Sequence, residues 1–292
     1  MLISKGERIF NIVNSVFLIL VALLCIAPMV YMLAVSLSDN AQVAAGNVGL
    51  WPKDFTLASY EYLFSYKAFW RSMRNSVVRT VLALLFTLTL TVLTAYPLSK
   101  SSDKFLGRSF FAWLFFIPMM INGGLIPTYI TIDTFNLLGT IWALVLPSAV
   151  TTFYIILMLN FFRGIPGEIE EAALIDGAGQ WRILFKIFLP LAVPSIATVA
   201  VYCSLAHWNE WFQGIIYMNL PEDYPLMSYL QASILNINTD NLSPDEIQKL
   251  NKIGNKTYQA AQLFVGAIPM ICVYPFLQRY FTKGLIMGSV KG

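Results

Sequence analysis

Six long apolar runs alternate with polar segments along the chain, near residues 10–35, 76–98, 109–130, 138–161, 188–212 and 260–281. An α-helix needs about 20 apolar residues to cross the roughly 30 Å hydrocarbon core of a bilayer, and each run reaches that length. The pattern therefore predicts an all-α membrane protein in which residues 1–292 form a single domain of six transmembrane helices.

Composition supports this interpretation and excludes several other classes of protein. Hydrophobic residues occupy 57% of the 292 positions and charged residues only 12%, whereas an average soluble domain has about 25% charged residues. Such a chain cannot cover itself with a polar surface, which excludes a soluble globular domain and a disordered chain. The net charge is +3, and no basic patch is interleaved with aromatic residues, which excludes a nucleic-acid binder.

Residues that bind metals or carry out catalysis are sparse. His207 is the only histidine, and the three cysteines lie inside apolar runs without C-x-x-C spacing. The sequence therefore predicts neither a metal site nor a disulfide framework. Glu210 is the only acidic residue well inside a predicted span, whereas ion-driven pumps usually carry more intramembrane ionisable groups.

The orientation of the chain is predicted from its basic residues. The first run follows Lys5 and Arg8, but its apolar core is longer than the roughly 7–15 residues of a signal peptide, so we expect an uncleaved span. Lys and Arg are enriched on the cytoplasmic side of membrane proteins. Placing both termini in the cytoplasm puts eleven of the 19 Lys and Arg residues inside and eight outside. We therefore expect both termini to be cytoplasmic.

Two predicted outer segments, 38–75 and 217–257, are long. In the second, Ser243, Pro244 and Glu246 form a strong helix start, with a capping residue, a proline at the first helical position and a glutamate that completes the capping box. Gly254 would end that helix. The helix could contact a soluble partner or could simply close the loop, and the sequence leaves both interpretations open.

The predicted inner loop 163–187 contains a second helix start. Pro166 precedes the first turn, and Glu168, Glu170 and Glu171 favour the positive N-terminal end of a helix. Gly177 and Gly179 then end or turn it. This short helix could transmit movement from a cytoplasmic partner into the bundle, or it could lie on lipid headgroups.

A long motif occupies the same loop. It reads Glu171-Ala172-Ala173, three residues, Gly177, nine residues, Ile187, one residue and Leu189-Pro190. By this motif the chain resembles ABC-importer permeases, since it matches every signature position of their EAA loop.

The resemblance extends over essentially the whole chain, to the MalG-type sugar permeases. It includes Asn75-Ser76, Trp208-Asn209-Glu210 and the tail from Gln278 to Leu285. The segment from Asn122 to Tyr129 is similar to the LplC/YtcP branch, which is linked to complex oligosaccharides.

The resemblance implies a type I ABC-importer permease in the bacterial inner membrane. Its partners would be a second permease subunit (MalF/LplB-like), two copies of a cytoplasmic ATPase that hold ATP and Mg, and an extracytoplasmic solute-binding protein that delivers the sugar. The chain contains no Gly-Lys dipeptide and hence no P-loop of its own. We therefore expect no cofactor in this chain and no enzymatic activity.

Two groups of candidate site residues follow, without catalytic or metal-binding members. The resemblance implies an ATPase-coupling site at Glu171, Ala172, Ala173, Asp176 and Gly177. Amides, carboxylates and aromatic faces suit a sugar, which suggests a substrate pathway at Asn122, Tyr129, Asn209 and Glu210.

Other functions remain as alternatives. The same fold could carry a non-sugar solute such as an amino acid or phosphate, and an ion-coupled secondary transporter would work without ATP. An intramembrane enzyme would need a nucleophile and base or a set of metal ligands, and one histidine without an H-E-x-x-H motif argues against it.

Overall fold

A computed structural model describes residues 5–121, 123–235 and 253–289 of the chain. Most of these residues are helical, and the only strand-like pairing among them is a single bridge between Ser38 and Phe55. The helices are α1 (Lys5–Ser36), α2 (Asn40–Ala44), α3 (Ala58–Ser65), α4 (Lys67–Ser99), α5 (Arg108–Met120), α6 (Leu125–Thr134), α7 (Ile141–Val145), α8 (Thr152–Gly164), α9 (Gly167–Ile175), α10 (Gln180–Ile183), α11 (Leu189–Leu191), α12 (Val193–Asn209), α13 (Phe212–Tyr217), α14 (Leu226–Leu235) and α15 (Asn255–Ser289).

Three shorter helical turns complete the described part of the chain. They are a 3₁₀ turn after α7, a π-helical turn between α10 and α11, and a 3₁₀ turn before α14, at Leu146–Ser148, Leu184–Phe188 and Pro221–Asp223. The predicted outer helix that starts at Ser243 lies outside the described residues. Gly254 is described, has φ +82° and directly precedes α15.

Within the described residues, two helices are long and apolar enough to cross a membrane unaided, namely α1 and α4. Two further stretches reach that length only as bent pairs. The predicted all-α class is therefore confirmed, whereas the number of six spans stays a prediction.

The predicted third span is not one helix. α5 ends at Met120 and α6 begins at Leu125. Between them Ile121 is extended, and Gly124 has φ +84°, a left-handed conformation that residues with a Cβ atom avoid. The predicted span 109–130 is therefore divided between two helices, because the glycine pair inside the apolar run interrupts it.

Prolines bend the predicted fourth and fifth spans. The fourth consists of α7, its 3₁₀ turn with Pro147, and α8, and it bends by 49°. The fifth consists of Gln180–Leu191 and α12, with Pro190 and Pro194 on either side of a 76° bend. A proline removes a backbone donor and clashes with the preceding turn. The predicted spans 138–161 and 188–212 are therefore each divided between bent helices, and whether each pair forms one crossing stays a prediction.

The chain divides into two compact units, Met1–Trp70 with Ala232–Ile268 and Arg71–Gln231 with Pro269–Gly292. In the first unit, the residues after α1 are held by side-chain hydrogen bonds. The Ser38 hydroxyl donates to the carbonyl of Ala34 over 2.7 Å and accepts from the amide of Lys53 over 3.0 Å. The Asp39 carboxylate caps α2.

The second unit has an extensive hydrophobic core, to which α4, α8, α9 and the helices around α12 contribute. Phe162 of α8 lies near its centre, with ring centroids 6.2 Å from Tyr96 and 5.6 Å from Phe188. The buried members of this cluster are Val92, Ala95, Tyr96, Leu98, Tyr154, Ile155, Met158, Leu159, Phe162, Ala173, Ile183, Leu184, Phe188, Ala192, Val199 and Cys203.

Removal of the Phe162 ring should leave a cavity between three helices. We expect Phe162→Ala to lower the free energy of unfolding by about 3 kcal/mol, because the neighbouring side chains lose their contacts and relax only partly. Phe110→Ala is a matched control, since Phe110 is largely exposed. Unfolding of the detergent-solubilised protein measures both, and equal losses would contradict the described core.

Candidate functional site

Helix α9 lies where the sequence predicts a helix in the loop 163–187. Pro166 precedes its first residue, and Glu168 and Glu170 lie in its first turn, where carboxylates are favoured by the helix dipole. The helix ends in a Schellman motif, in which the amides of Gly177 and Ala178 donate to the carbonyls of Leu174 and Ala173.

Gly177 has φ +76°, and apart from the glycine itself and its two chain neighbours no atom lies within 4 Å of the position that a Cβ atom would take. The glycine is therefore required by the backbone conformation and not by crowding.

The outward face of α9 carries most of the predicted coupling residues. Glu171, Ala172, Asp176 and Gly177 are exposed. Ala173 instead packs into the core of the second unit, so the exposed surface of α9 does not include it. Ile175 is 86% exposed and places an apolar side chain next to the acidic ones.

The inward face of α9 carries an ion pair that the sequence analysis missed. Glu170 is only 7% exposed, and its Oε2 atom lies 2.9 Å from Nζ of Lys100, the residue that follows α4. The same ammonium lies 4.1 Å from the ring centre of Tyr96 and 4.4 Å from that of Phe188. Burial lowers the pKa of Lys100, and Glu170 opposes that shift by favouring the charged form.

Two clefts adjoin this ion pair. A cleft of about 570 Å³ is lined by Leu93, Tyr96, Pro97, Lys100, Lys104, Phe105, Glu170, Leu174, Gln180, Trp181 and Leu184. A smaller one of about 230 Å³ is lined by Ser99, Lys100, Ser101, Lys104, Phe162, Arg163, Ile165, Pro166, Gly167, Glu170 and Phe188. Across the larger cleft, the Tyr96 hydroxyl donates to Oε1 of Gln180 over 2.7 Å.

Only a weak signal in the sequence could have indicated the buried pair. Glu170 and Ala173 are three residues apart and thus share a face of α9, and Ala173 is buried. The three glutamates of the loop nevertheless look alike as favourable N-terminal charges. Lys100 resembles any basic residue that follows a membrane span.

Glu210, predicted for the substrate pathway, caps a helix. It follows the last residue of α12, and its Oε1 atom accepts hydrogen bonds from the amides of Phe212 and Gln213 over 2.8 and 3.1 Å. These are the first residues of α13, whose unpaired amides need such an acceptor. The neighbouring Asn209 is exposed.

Tyr129, the third predicted pathway residue, lies on α6. Its ring centre is 6.3 Å from that of Tyr217, the last residue of α13. The structure thus brings Glu210 and Tyr129 to opposite ends of one short helix. Asn122 lies outside the described residues.

A cleft of about 650 Å³ adjoins α6 and the turn that follows it. It is lined by Pro127, Thr128, Thr131, Ile132, Phe135, Leu137, Leu146 and Pro147. The hydroxyls of its two threonines donate to carbonyls of their own helix region, so the lining is mainly apolar.

Arg79 of α4 is a further residue that the sequence analysis missed. It is fully buried, and it donates to the carbonyl of Glu210 over 3.0 Å and to Oε1 of Gln213. Three residues earlier on α4, the hydroxyl of Ser76 accepts the amide of Leu226 over 2.7 Å. The first half of α4 is therefore tied to the α12–α13 junction and to the start of α14.

Comparison with known proteins identifies the class of this chain. Residues 68–287 match the family described as binding-protein-dependent transport system inner membrane component. The chain belongs to this family. It is a permease subunit of a transport system and not an enzyme, as the sequence predicted.

Relatives support the predicted branch of the family. The permease is 37% identical to Protein LplC of Bacillus subtilis (strain 168) over 99% of its own length and 97% of that protein. It is 34% identical to the polygalacturonan/rhamnogalacturonan transport system permease protein YtcP of the same organism, over 98% of its own length and 99% of that protein. The resemblance to LplC and YtcP is therefore confirmed.

Solved structures share the fold of the permease. One chain of a bacterial ABC transporter involved in the import of the acidic polysaccharide alginate matches it with a TM-score of 0.87 and 34% identity, over 95% of the permease and 98% of that chain. A second match is a chain of the bacterial alginate ABC transporter in complex with alginate pentasaccharide-bound periplasmic protein. It has a TM-score of 0.61 and 16% identity, over 94% of the permease and 95% of that chain. At that identity the second match supports the fold alone.

The capping role of Glu210 can be tested directly. Glu210→Ala removes the acceptor of two amides of α13, and we expect the free energy of unfolding to fall by about 1 kcal/mol. Asn209→Ala changes an exposed neighbour, and its effect should stay within about 0.5 kcal/mol. Thermal unfolding of the solubilised permease measures both variants. A Glu210→Ala variant as stable as the unmodified permease would contradict the capping role.

Proposed function

We propose that this chain is the membrane-embedded permease subunit of an ABC importer that carries an oligosaccharide or complex-glycan fragment into the cell. Transport proceeds by alternating access and is driven by ATP hydrolysis on a partner subunit. The observation that carries this proposal is the complete EAA pattern, whose first three residues, Glu171-Ala172-Ala173, lie on α9, a helix with an exposed outer face.

In this proposal the chain crosses the membrane six times, with both termini in the cytoplasm. α1, α4 and α15 provide the first, second and last crossings, and the broken helices from α5 to α12 provide the other three. The excess of Lys and Arg in the segments that this topology places inside supports the orientation.

α9 is then a coupling helix on the cytoplasmic side, and it seats in a groove of the ATPase. Its exposed face supports this, because Glu171 and Asp176 present negative charge while Ala172 permits close approach and Ile175 provides an apolar contact. A partner with a basic groove and an apolar pocket would match that face.

The remaining partners are inferred from the exposed surface of α1 and from the nucleotide-binding motif that this chain lacks. A second permease subunit and membrane lipid would cover α1, most of whose side chains are exposed. Two ATPase copies would hold ATP and Mg, since the chain contains no Gly-Lys dipeptide for a P-loop. A solute-binding protein outside the cell would deliver the sugar.

The substrate class rests on the relatives. YtcP is a polygalacturonan/rhamnogalacturonan permease by name, and the solved chain with 34% identity comes from a transporter of alginate. Asn122, Tyr129, Asn209 and Glu210 remain our predicted sugar contacts. Glu210 would contribute to the pathway in two ways: its carboxylate would contact the sugar, and its hydrogen bonds to two amides would hold α13 in place.

The proposal is tested by reconstituting the permease with its partner permease, ATPase and binding protein in proteoliposomes. We expect uptake of an oligosaccharide that requires both ATP and the binding protein. Acidic oligogalacturonate, neutral arabino-oligosaccharide, an amino acid and phosphate distinguish the solute classes. Uptake driven by an ion gradient without ATP would contradict an ABC importer.

The role of α9 as the ATPase contact is tested separately. A benzophenone-maleimide attached to the cysteine of a Glu171→Cys variant should form a photo-cross-link with the ATPase subunit in native membranes, because Glu171 is exposed. If the cross-link forms with lipid or with no protein at all, α9 is an interfacial helix and the coupling proposal is wrong.

Gly177 provides a test of the hinge that follows α9. Gly177→Val forces a β-branched residue into a left-handed conformation, at a cost of roughly 1–2 kcal/mol. We expect uptake to fall while ATP hydrolysis continues. Gly177→Asn should be milder, because asparagine tolerates this conformation. Gly179→Val is the control, since Gly179 has φ −72° and open space around it. Normal uptake in Gly177→Val would argue against the hinge.

A further inference from the structure

We propose that Lys100 and Glu170 are positioning residues that lock α9 to the end of α4, so that a displacement of α9 is transmitted along α4 to the α12–α13 junction at Glu210. This inference rests on the proposed role of α9 as the contact for the ATPase. It assigns a function to two residues that lie outside the EAA pattern.

The geometry joins three elements at one ammonium group. Nζ of Lys100 pairs with Glu170 of α9 at 2.9 Å and lies over the rings of Tyr96 of α4 and Phe188 of the π-helical turn, at 4.1 and 4.4 Å. The hydrogen bond from Tyr96 to Gln180 adds the start of α10 to the same assembly.

Burial makes this junction resistant to separation. The side chains of Lys100 and Glu170 are 9% and 10% exposed, and parting them would leave two largely buried charges without their partners. The ion pairs of Arg71 with Glu222 and Asp223 have similar lengths, but their side chains are 37–69% exposed. Water can replace such exposed contacts at little cost.

α4 connects this junction with the predicted substrate pathway. Its 23 steps from Ser76 to Ser99 correspond to roughly 35 Å of helix at 1.5 Å per residue. In the first half of α4, Arg79 binds the carbonyl of Glu210 and the side chain of Gln213, and Ser76 binds the amide of Leu226. α4 therefore has polar attachments at Ser76 and Arg79 and again at Lys100, which directly follows it, and it can transmit a displacement between these positions.

The test uses the assembled transporter in proteoliposomes and measures sugar taken up per ATP hydrolysed. We expect Glu170→Gln and Lys100→Met to lower this ratio at least about 10-fold, since each loses an interaction needed for coupled movement. The ATPase subunit should still be present at normal stoichiometry. The exposed neighbours provide controls, and Lys104→Met and Asp103→Asn should stay within about 2-fold of the unmodified transporter.

A double-mutant cycle distinguishes a shared contact from two separate roles. If the two side chains act through each other, Lys100→Met with Glu170→Gln should be no worse than the worse single variant. Losses that multiply would overturn the inference, and so would a single variant with the unmodified ratio.

Glu170→Asp covers the case in which the neutral variants fail to assemble. It keeps the charge but shortens the side chain by one methylene, so the pair is stretched while the complex should still assemble. We expect a loss of about 3-fold in the uptake ratio. An unchanged ratio in this variant, with assembly lost in the neutral ones, would show that the pair serves folding alone and would overturn the inference.

The cross-link from Glu171→Cys separates this inference from the proposed function. If that cross-link to the ATPase is absent in the otherwise unmodified transporter, the proposed role of α9 is wrong. If the cross-link forms but the losses of Lys100→Met and Glu170→Gln multiply, only the lock between α9 and α4 is wrong.

Discussion

The bilayer offers no water to the backbone, and this constraint governs how the broken helices of the permease are built. Every interrupted helix frees amide and carbonyl groups that must find partners within the protein. Glu210 provides such a partner at the break after α12, because its carboxylate accepts two amides of α13. This break is thus satisfied by a side chain at the point where the helix direction changes.

Much of the fold was predictable because the relevant signals are local. Apolar length indicates membrane helices, and the proline, the glutamates and the glycine around α9 mark both of its ends. The breaks at Gly124 and around Pro190 were harder to place. An apolar run gives the same pattern whether it forms one helix or two, and proline is in any case more common in membrane helices.

The residues that join distant segments could not be predicted. Arg79 had the pattern of one of several basic residues near the start of a span, yet it is fully buried and binds residues of the α12–α13 junction. The pairing of Lys100 with Glu170 likewise could not be predicted from the residues next to either of them in the sequence. Which of three glutamates turns inward depends on the angle at which α9 packs against the core, and that angle is a property of the folded second unit.

Burial of Arg79 also has a consequence for biosynthesis. An arginine costs about 2.5–3.5 kcal/mol at the centre of a membrane helix on insertion scales and less near the end of a span, where Arg79 lies, and its acceptors, Glu210 and Gln213, are made more than a hundred residues later. At a synthesis rate of about 5–20 residues per second, many seconds pass between the synthesis of Arg79 and that of the residues that accept its hydrogen bonds. During that interval the guanidinium of nascent α4 lacks its acceptors at the α12–α13 junction. The maturation of this subunit is therefore most vulnerable before α13 emerges from the ribosome.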